Sequence, residues 1–223
     1  MELELKGIQK HFRKKIPLAD IHLSAGQGKC IGIIGKNGSG KSTLLSILAG
    51  VQRCDAGEFF WKGEDLFKNK KLLSATVGYV PQGTPLLDEL SAWDNLLMWY
   101  DKKTLARELE NGVLAMLGIQ EFIKVPVYKM SGGMKKRLSI GCAVAKAPSL
   151  LLLDEPSAAL DLIAKENIAQ YLRTFKQNGG TLLLTTHDES ELSLCDEIYI
   201  LKDGRLHPYV YDGDVHRLAV ALG

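Results

Sequence analysis

The segment Gly35-Lys-Asn-Gly-Ser-Gly-Lys-Ser-Thr43 constrains this chain more than any other feature. It fits G-x-x-x-x-G-K-[ST], with Gly35 and Gly40 as the fixed glycines and Lys41-Ser42 closing the motif. The pattern needs a strand before it and a helix after it. Lys29 to Ile34 is a short apolar run that supplies the strand. Thr43 to Gly50 carries Leu44, Leu45, Ile47 and Leu48 at helical spacing and stops at a glycine. The chemistry explains the composition. Backbone N–H groups must converge on a phosphate, and glycines at 35, 38 and 40 keep side chains out of the way. A helix starting near Lys41 turns its positive end toward the anion. Lys36, Asn37, Ser39 and Thr43 complete the cradle. Lys41 is expected to reach the outer phosphates, and the Ser42 hydroxyl to ligate Mg2+.

The rest of the chain reads as α/β. Leu3, Leu5 and Ile8 alternate with polar residues as in a strand with one buried face, and Ile16 to Leu23 follows as a second strand. Glu58 to Trp61 and Thr76 to Val80 are further strands. From Pro85 to about Pro148 helical patterns dominate, so residues 85–148 are expected to form a helical lobe inserted into an α/β core of residues 1–84 and 149–223. Leu150 to Leu153 and Thr181 to Thr185 are fully apolar, as in parallel strands buried on both faces. A helix from about Ile163 to Gln177 lies between them. A strand, a turn at Asp203-Gly204 and a short tail end the chain. A parallel sheet with an N-terminal antiparallel β subdomain and an inserted helical subdomain is the expected fold.

Composition narrows the function. The chain has 223 residues, 46% of them hydrophobic, and a net charge of +2. Nucleic-acid binders carry a larger clustered positive excess, so no direct nucleic-acid partner is expected. Arg13-Lys-Lys15 and Lys135-Lys-Arg137 read as solvated faces. Cys30, Cys54, Cys142 and Cys195 have no metal-ligand spacing and read as small apolar fillers in a reducing cytosol. The N-terminus lacks a basic leader and an apolar stretch, and no apolar run approaches bilayer length. Any service to a membrane is expected to go through a partner.

Two carboxylates end the apolar strand, at Asp154 and Glu155. A carboxylate at the C-terminal end of a buried strand faces the ligand crevice of an α/β sheet. Asp154 is placed to hold Mg2+ through water, and Glu155 to act as general base on an attacking water. Taken alone the pair is a weak signal, since acids also cap helices. Many phosphate-loop proteins share both features, including small-molecule kinases and GTPases.

Met130-Ser-Gly-Gly-Met134 separates these possibilities. It precedes a helical pattern from about Met134 to Lys146, with Leu138, Cys142 and Ala145 on one face. Ser131 is a natural N-cap, and the glycines open the first-turn N–H groups. This is a second anion-binding helix end, far along the chain from the first. At this point the sequence resembles the ABC ATPase family, whose signature is usually Leu-Ser-Gly-Gly-Gln. The resemblance covers nearly the whole chain, in family order. It implies that Phe12 stacks on adenine, that Gly35 to Thr43 bind the phosphates, and that Gln82 senses magnesium and links to the helical lobe. It further implies that Ser131, Gly132 and Gly133 bind ATP, and that Asp154 and Glu155 are the magnesium and base pair. Ser157-Ala-Ala-Leu-Asp161 matches the loop that crosses to a partner subunit, and His187 the γ-phosphate switch histidine. Met130 and Met134 depart from the signature's leucine and glutamine, and Phe12 replaces the more usual tyrosine. The serine, both glycines and the aromatic ring are kept.

The resemblance implies ATP and Mg2+ as ligands, with Ser42, Gln82 and Asp154 on the metal and Lys41, Gln82, Glu155 and His187 catalytic. It implies two ATPs clasped between two chains, in a homodimer or with a sister ATPase. It also implies a multispanning permease that receives the work of ATP hydrolysis, with this subunit cytoplasmic and peripheral on the inner face of the cell membrane. Export is the expected direction. Trp93, Trp99 and Tyr100 are candidates for lining the groove that receives the permease, with ordinary core packing as the other reading. A non-transport ABC ATPase acting on DNA or ribosomes is the alternative, but Gln82 to Ser131 is too short for a long coiled coil, and the chain holds one cassette. A small-molecule kinase has no use for Ser131 to Gly133.

Overall fold

The computed structural model describes residues 2–13, 15–158 and 160–222. Lys14 of the first basic run and Ala159 of the Ser157–Asp161 loop lie outside the described residues. The chain opens with strands β1 (Leu3–Phe12), β2 (Lys15–Ala25) and β3 (Cys30–Ile34), then helix α1 (Lys41–Leu48). Strands β4 (Ala56–Trp61) and β5 (Glu64–Asp65), helix α2 (Lys70–Thr76) and strand β6 (Val77–Val80) follow. Next come helices α3 (Ala92–Leu97), α4 (Lys102–Asn111), α5 (Val113–Met116) and α6 (Gly132–Ala143). The chain then returns through β7 (Leu150–Asp154), α7 (Leu162–Gln177), β8 (Thr181–Thr185), α8 (Glu189–Leu192), β9 (Glu197–Lys202), β10 (Arg205–Tyr209) and α9 (Val215–Leu222).

The described residues form two sheets. One is antiparallel, in the order β2-β1-β4-β5; the other runs β10-β9-β3-β8-β7-β6. Within the second, β9, β3, β8, β7 and β6 are parallel, and β10 closes the edge antiparallel to β9. Parallel strands covered on both faces need apolar residues at every position, which is why β7 and β8 read as unbroken leucine runs. Leu151, Leu153, Leu182 and Leu184 pack on one side with Leu96, Leu114, Leu138 and Ile168 of the helices. Leu150, Leu152 and Leu183 pack on the other with α1 and the antiparallel sheet, through Leu44, Leu45, Leu3, Leu5 and Phe59. Each such leucine contributes roughly 1.5–3 kcal/mol by leaving water. In β1 a register shift between Leu5 and Ile8 resets the alternation, so both face the same core.

Several boundaries differ from the sequence expectation. Thr76 ends α2, a helix the pattern did not announce, and β6 starts at Val77. Asn69 caps α2 by accepting from the Leu72 N–H. Helix α6 begins two residues before Met134 and ends at Ala143, so Ala145 and Lys146 lie beyond it. The glycines belong to its first turn because Ser131 supplies the cap. The expected short tail is instead β10, after the turn at Asp203-Gly204, and the amphipathic helix α9, whose Leu218 packs on Ile34, Leu192 and Ile198.

Leu183 is fully buried in the sheet's centre. Leu183→Ala is expected to cost about 2–5 kcal/mol, read as a lower urea midpoint with an unchanged slope. A loss below about 1 kcal/mol would contradict the two-sided burial.

Candidate nucleotide site

Strand β3, interior to the sheet, delivers the phosphate loop to the C-terminal end of the parallel strands. Gly40 caps α1 with φ of 112°, and a Cβ there would stand 2.7 Å from the Pro17 carbonyl oxygen. Only glycine meets both the left-handed backbone and this close approach. The Gly40 carbonyl accepts from the Leu44 N–H and starts the helix. Lys41 is buried, and its Nζ donates to the carbonyls of Gly35, at 2.7 Å, and Lys36, at 3.3 Å. These bonds fold the lysine back along its own loop. Burial pushes its pKa down, and the nearby Glu155 and Asp154 carboxylates oppose that shift.

A cavity of about 790 Å3 opens over this loop. Asn37, Gly38, Ser39, Gly40, Lys41, Ser42 and Thr43 form its floor, and Phe12, Gln82 and Glu155 its walls. Phe12 is 44% exposed, with Lys10 Nζ 5.5 Å from its ring centre, so part of the ring is open to a planar ligand. Lys15, Ile16, Pro17, Asp203 and Gly204 also line the cavity. Sequence reading missed these five, because they come from β2 and the β9–β10 turn and carry no motif. That turn touches β2 directly, where the Gly204 carbonyl accepts from the N–H groups of Ala19 and Asp20.

The carboxylates arrive on β7. Asp154 is buried, and the Thr185 hydroxyl donates to its Oδ1 at 2.6 Å. Glu155 adopts φ of 48°, a left-handed conformation unusual for a residue with a side chain. Its N–H is held at 3.1 Å by both the Thr185 carbonyl and hydroxyl oxygens. That backbone strain, fixed by β8, turns the carboxylate toward the cavity. Gln82 Nε2 donates to Glu155 Oε2 at 3.1 Å, which joins the loop after β6 to the end of β7. His187 follows β8. Desolvation and the Lys41 charge push its imidazole pKa down, against a weaker opposing pull from Glu155. Thus Lys41, Gln82 and Glu155 meet at the cavity from separate parts of the chain, while Asp154 and His187 do not line it but lie within electrostatic reach of Lys41.

Ser131, Gly132 and Gly133 do not line this cavity. Ser131 caps α6 by accepting from the Met134 N–H at 3.2 Å, and both Ser131 and Gly132 are exposed. Gly133 is buried against α7, where a Cβ would come within 2.8 Å of the Ala164 methyl. Met130 is buried in the helical core and Met134 packs against it, so both departures from the usual signature act as packing residues. The reading of Lys135 to Arg137 as a solvated face is corrected for two of the three. Lys136 and Arg137 are buried. Lys136 Nζ donates to the carbonyls of Pro81 and Gln82. Arg137 donates to the Leu117 carbonyl and lies over the Phe122 ring. Backbone carbonyls left over by turns provide buried partners that a charge pattern cannot reveal. Arg13 and Lys15 are exposed as expected.

Close to Gln82, a second, larger cavity of about 1190 Å3 is bounded by Val51, Arg53, Leu87, Met98 and Trp99. Of the three candidate aromatics, Trp99 alone lines it. Tyr100 is buried with its hydroxyl on the Gly141 carbonyl, and Trp93 packs against the helical core.

The residues suit a nucleotide with a hard cation. Ser39 Oγ, on the cavity floor, is buried with no hydrogen-bond partner in the structure, the kind of atom a bound ligand satisfies. Ser42, Gln82 and Asp154 offer oxygen donors only. Mg2+ prefers such a set, with one carboxylate and the rest of its shell from water and substrate phosphates.

This fold and cavity define a phosphate-loop nucleotide-binding protein. Residues 18–158 match the family model described as ABC transporter. The chain is 34% identical to the Nod factor export ATP-binding protein I of Sinorhizobium fredii, over 97% of this chain and 64% of that protein. It is 31% identical to the sulfate/thiosulfate import ATP-binding protein of Neisseria meningitidis serogroup A, over 92% of this chain and 60% of that protein. The chain therefore spans just under two thirds of these curated relatives. It is also similar to a solved dimeric ATP-binding cassette in a post-hydrolysis state bound to ADP and Pi. There the TM-score is 0.82 and the identity 27%, over 95% of this chain and 100% of that one. The chain belongs to the ABC transporter family of ATP-binding cassettes.

An NMR titration is expected to place the His187 imidazole below the ordinary histidine value of about 6.5. Lys41→Met should move it upward, because a nearby positive charge is removed. A His187 titration at or above 6.5 in the unsubstituted protein would contradict this geometry.

Proposed function

We propose that this chain is the ATP-hydrolysing motor subunit of an ABC transporter, working on a separate membrane permease by ATP-dependent closure of a dimer. One observation carries the reading: Ser131 and Gly132 at the tip of α6 are exposed, Gly133 is buried behind them, and all three lie outside the cavity built by the chain's own phosphate loop. A second copy, or a sister ATPase, brings its tip to that cavity. The triphosphate then bridges two anion-binding helix ends that one chain keeps apart, and ATP favours the closed state by binding it more tightly.

Roles follow from position. Lys41 and the loop amides take the charge that builds on the transferred phosphate. Phe12 stacks on the base. Ser42, Gln82 and Asp154 hold Mg2+, which draws charge off the phosphates when bound. Glu155 accepts the proton of the attacking water, oriented by Gln82, and His187 contacts the γ-phosphate. Residues 1–84 and 149–223 act as the core and 85–148 as the signature lobe.

The apolar opening beside Gln82, with Val51, Leu87, Met98 and Trp99 all more than half exposed, supports a permease contact. Among the described residues no helix is long and apolar enough to cross a membrane, so the spanning part of the transporter falls to the permease. The subunit then sits at the cytoplasmic face of the membrane. Export is the direction we propose. It rests on likeness to an export subunit, and likeness to an import subunit stands beside it. Action on DNA or ribosomes would leave the exposed groove without a task. A multispanning protein co-purifying from detergent-solubilised membranes supports transport, and its replacement by nucleic acid or ribosomes would reverse that.

Glu155→Gln is expected to lower kcat by roughly 100- to 10,000-fold, the usual worth of a general base. The same variant should elute as a dimer only with MgATP in size-exclusion chromatography. Normal steady-state turnover by the variant would remove Glu155 from its role. A persistent monomer with nucleotide bound would remove the two-chain site.

A further inference from the structure

Lys136 is a lysine buried to 5% exposure, a state this residue type seldom occupies without a partner. Its hydrogen-bond partners are two successive main-chain carbonyls, Pro81 at 3.0 Å and Gln82 at 3.1 Å. Burial disfavours its charge, while Asp154, Glu191 and Glu155 favour it. The lysine thus lies within electrostatic reach of Asp154 and Glu155, which it approaches from α6 while Lys41 approaches them from α1. Its helix is α6, and Ser131 caps that helix little more than one turn away. Gln82, whose carbonyl Lys136 holds, sends its side-chain amide to Glu155.

We propose that Lys136 is a positioning residue that ties the 81–82 segment to the signature helix, so that contact at the Ser131 tip is transmitted to Gln82 and Glu155. This deepens the two-chain reading above and rests on it. The physical basis is a short rigid path. A helix turn moves as a body, an ammonium held by two carbonyls gives little, and Gln82 spans the remaining gap to the carboxylate. A methionine has nearly the same length but donates nothing, so it breaks the tie and keeps the packing. A glutamine donates weakly and without charge. An arginine keeps both charge and donors.

The test uses Lys136→Met, Lys136→Gln and Lys136→Arg in the full chain. Steady-state ATPase kinetics, affinity for a fluorescent ATP analogue and amide hydrogen exchange are measured on each. The tie predicts that Lys136→Met lowers kcat at least about tenfold while KM and analogue affinity stay within about twofold, with Lys136→Arg recovering most of the loss. The amides of Leu86 and Leu87, bonded to the Thr84 carbonyl and the Asn95 side chain just after the tied segment, should exchange faster, with α6 protected as before. An unchanged kcat, or exchange rising along all of α6 with nucleotide affinity lost in parallel, would overturn it and make Lys136 a structural post. If Lys136→Met is insoluble, Lys136→Gln carries the same comparison. An unsubstituted protein that hydrolyses no ATP would sink the motor reading instead. The exchange comparison reads the tie without turnover, so the two failures are distinct.

Discussion

Parallel pairing of β3 with β8, and of β8 with β7, is the arrangement on which the site depends. Parallel strands finish at the same edge of a sheet. The phosphate loop after β3, Asp154-Glu155 at the end of β7 and His187 after β8 therefore meet there, although long stretches of chain separate them. The hydrogen bonds from Thr185 to Asp154 and from Glu155 to Thr185 fasten that edge. They also hold Glu155 in a backbone conformation it would not choose alone. Buried leucines on both faces make the arrangement stiff enough to carry that strain.

Charge in this region is balanced across an interior of low polarity. Lys41 and Lys136 approach Asp154 and Glu155 from different elements, one from α1 and one from α6. Each lysine also takes main-chain carbonyls, so neither depends on the carboxylates alone. Such an arrangement leaves the carboxylates available to a substrate or metal while keeping the site intact. Gln82 links the two halves, since its backbone belongs to the lobe's attachment and its side chain to the carboxylate edge.

Much of this was legible in the residues. The glycine spacing from 35 to 40 fixed a strand, a loop and a helix, because few backbones bring that many N–H groups to one anion. Unbroken leucines at 150–153 and 182–184 announced strands covered on both faces. Ser131 before two glycines announced a capped helix end. Other features were not read from them. Helix α2 was not among the expected elements, although Asn69, which caps it, is a residue type common at helix starts. Lys136 and Arg137 looked like a wet, basic face, because a sequence does not display the carbonyls of Pro81, Gln82 and Leu117 that receive them.

The sequence by itself determined the chemistry on offer: a glycine cradle, a lysine, two carboxylates, a histidine and a second capped helix tip, each coded by neighbours in the chain. Only the tertiary structure decided which of these share one cavity. It brought Phe12, Gln82 and Glu155 to the phosphate loop, added Lys15, Pro17 and Asp203 from elements without motifs, and left the Ser131 tip outside. The reason is physical. Short-range backbone preferences are written in adjacent residues, whereas meeting at a sheet edge depends on strand order and packing that many distant residues set together.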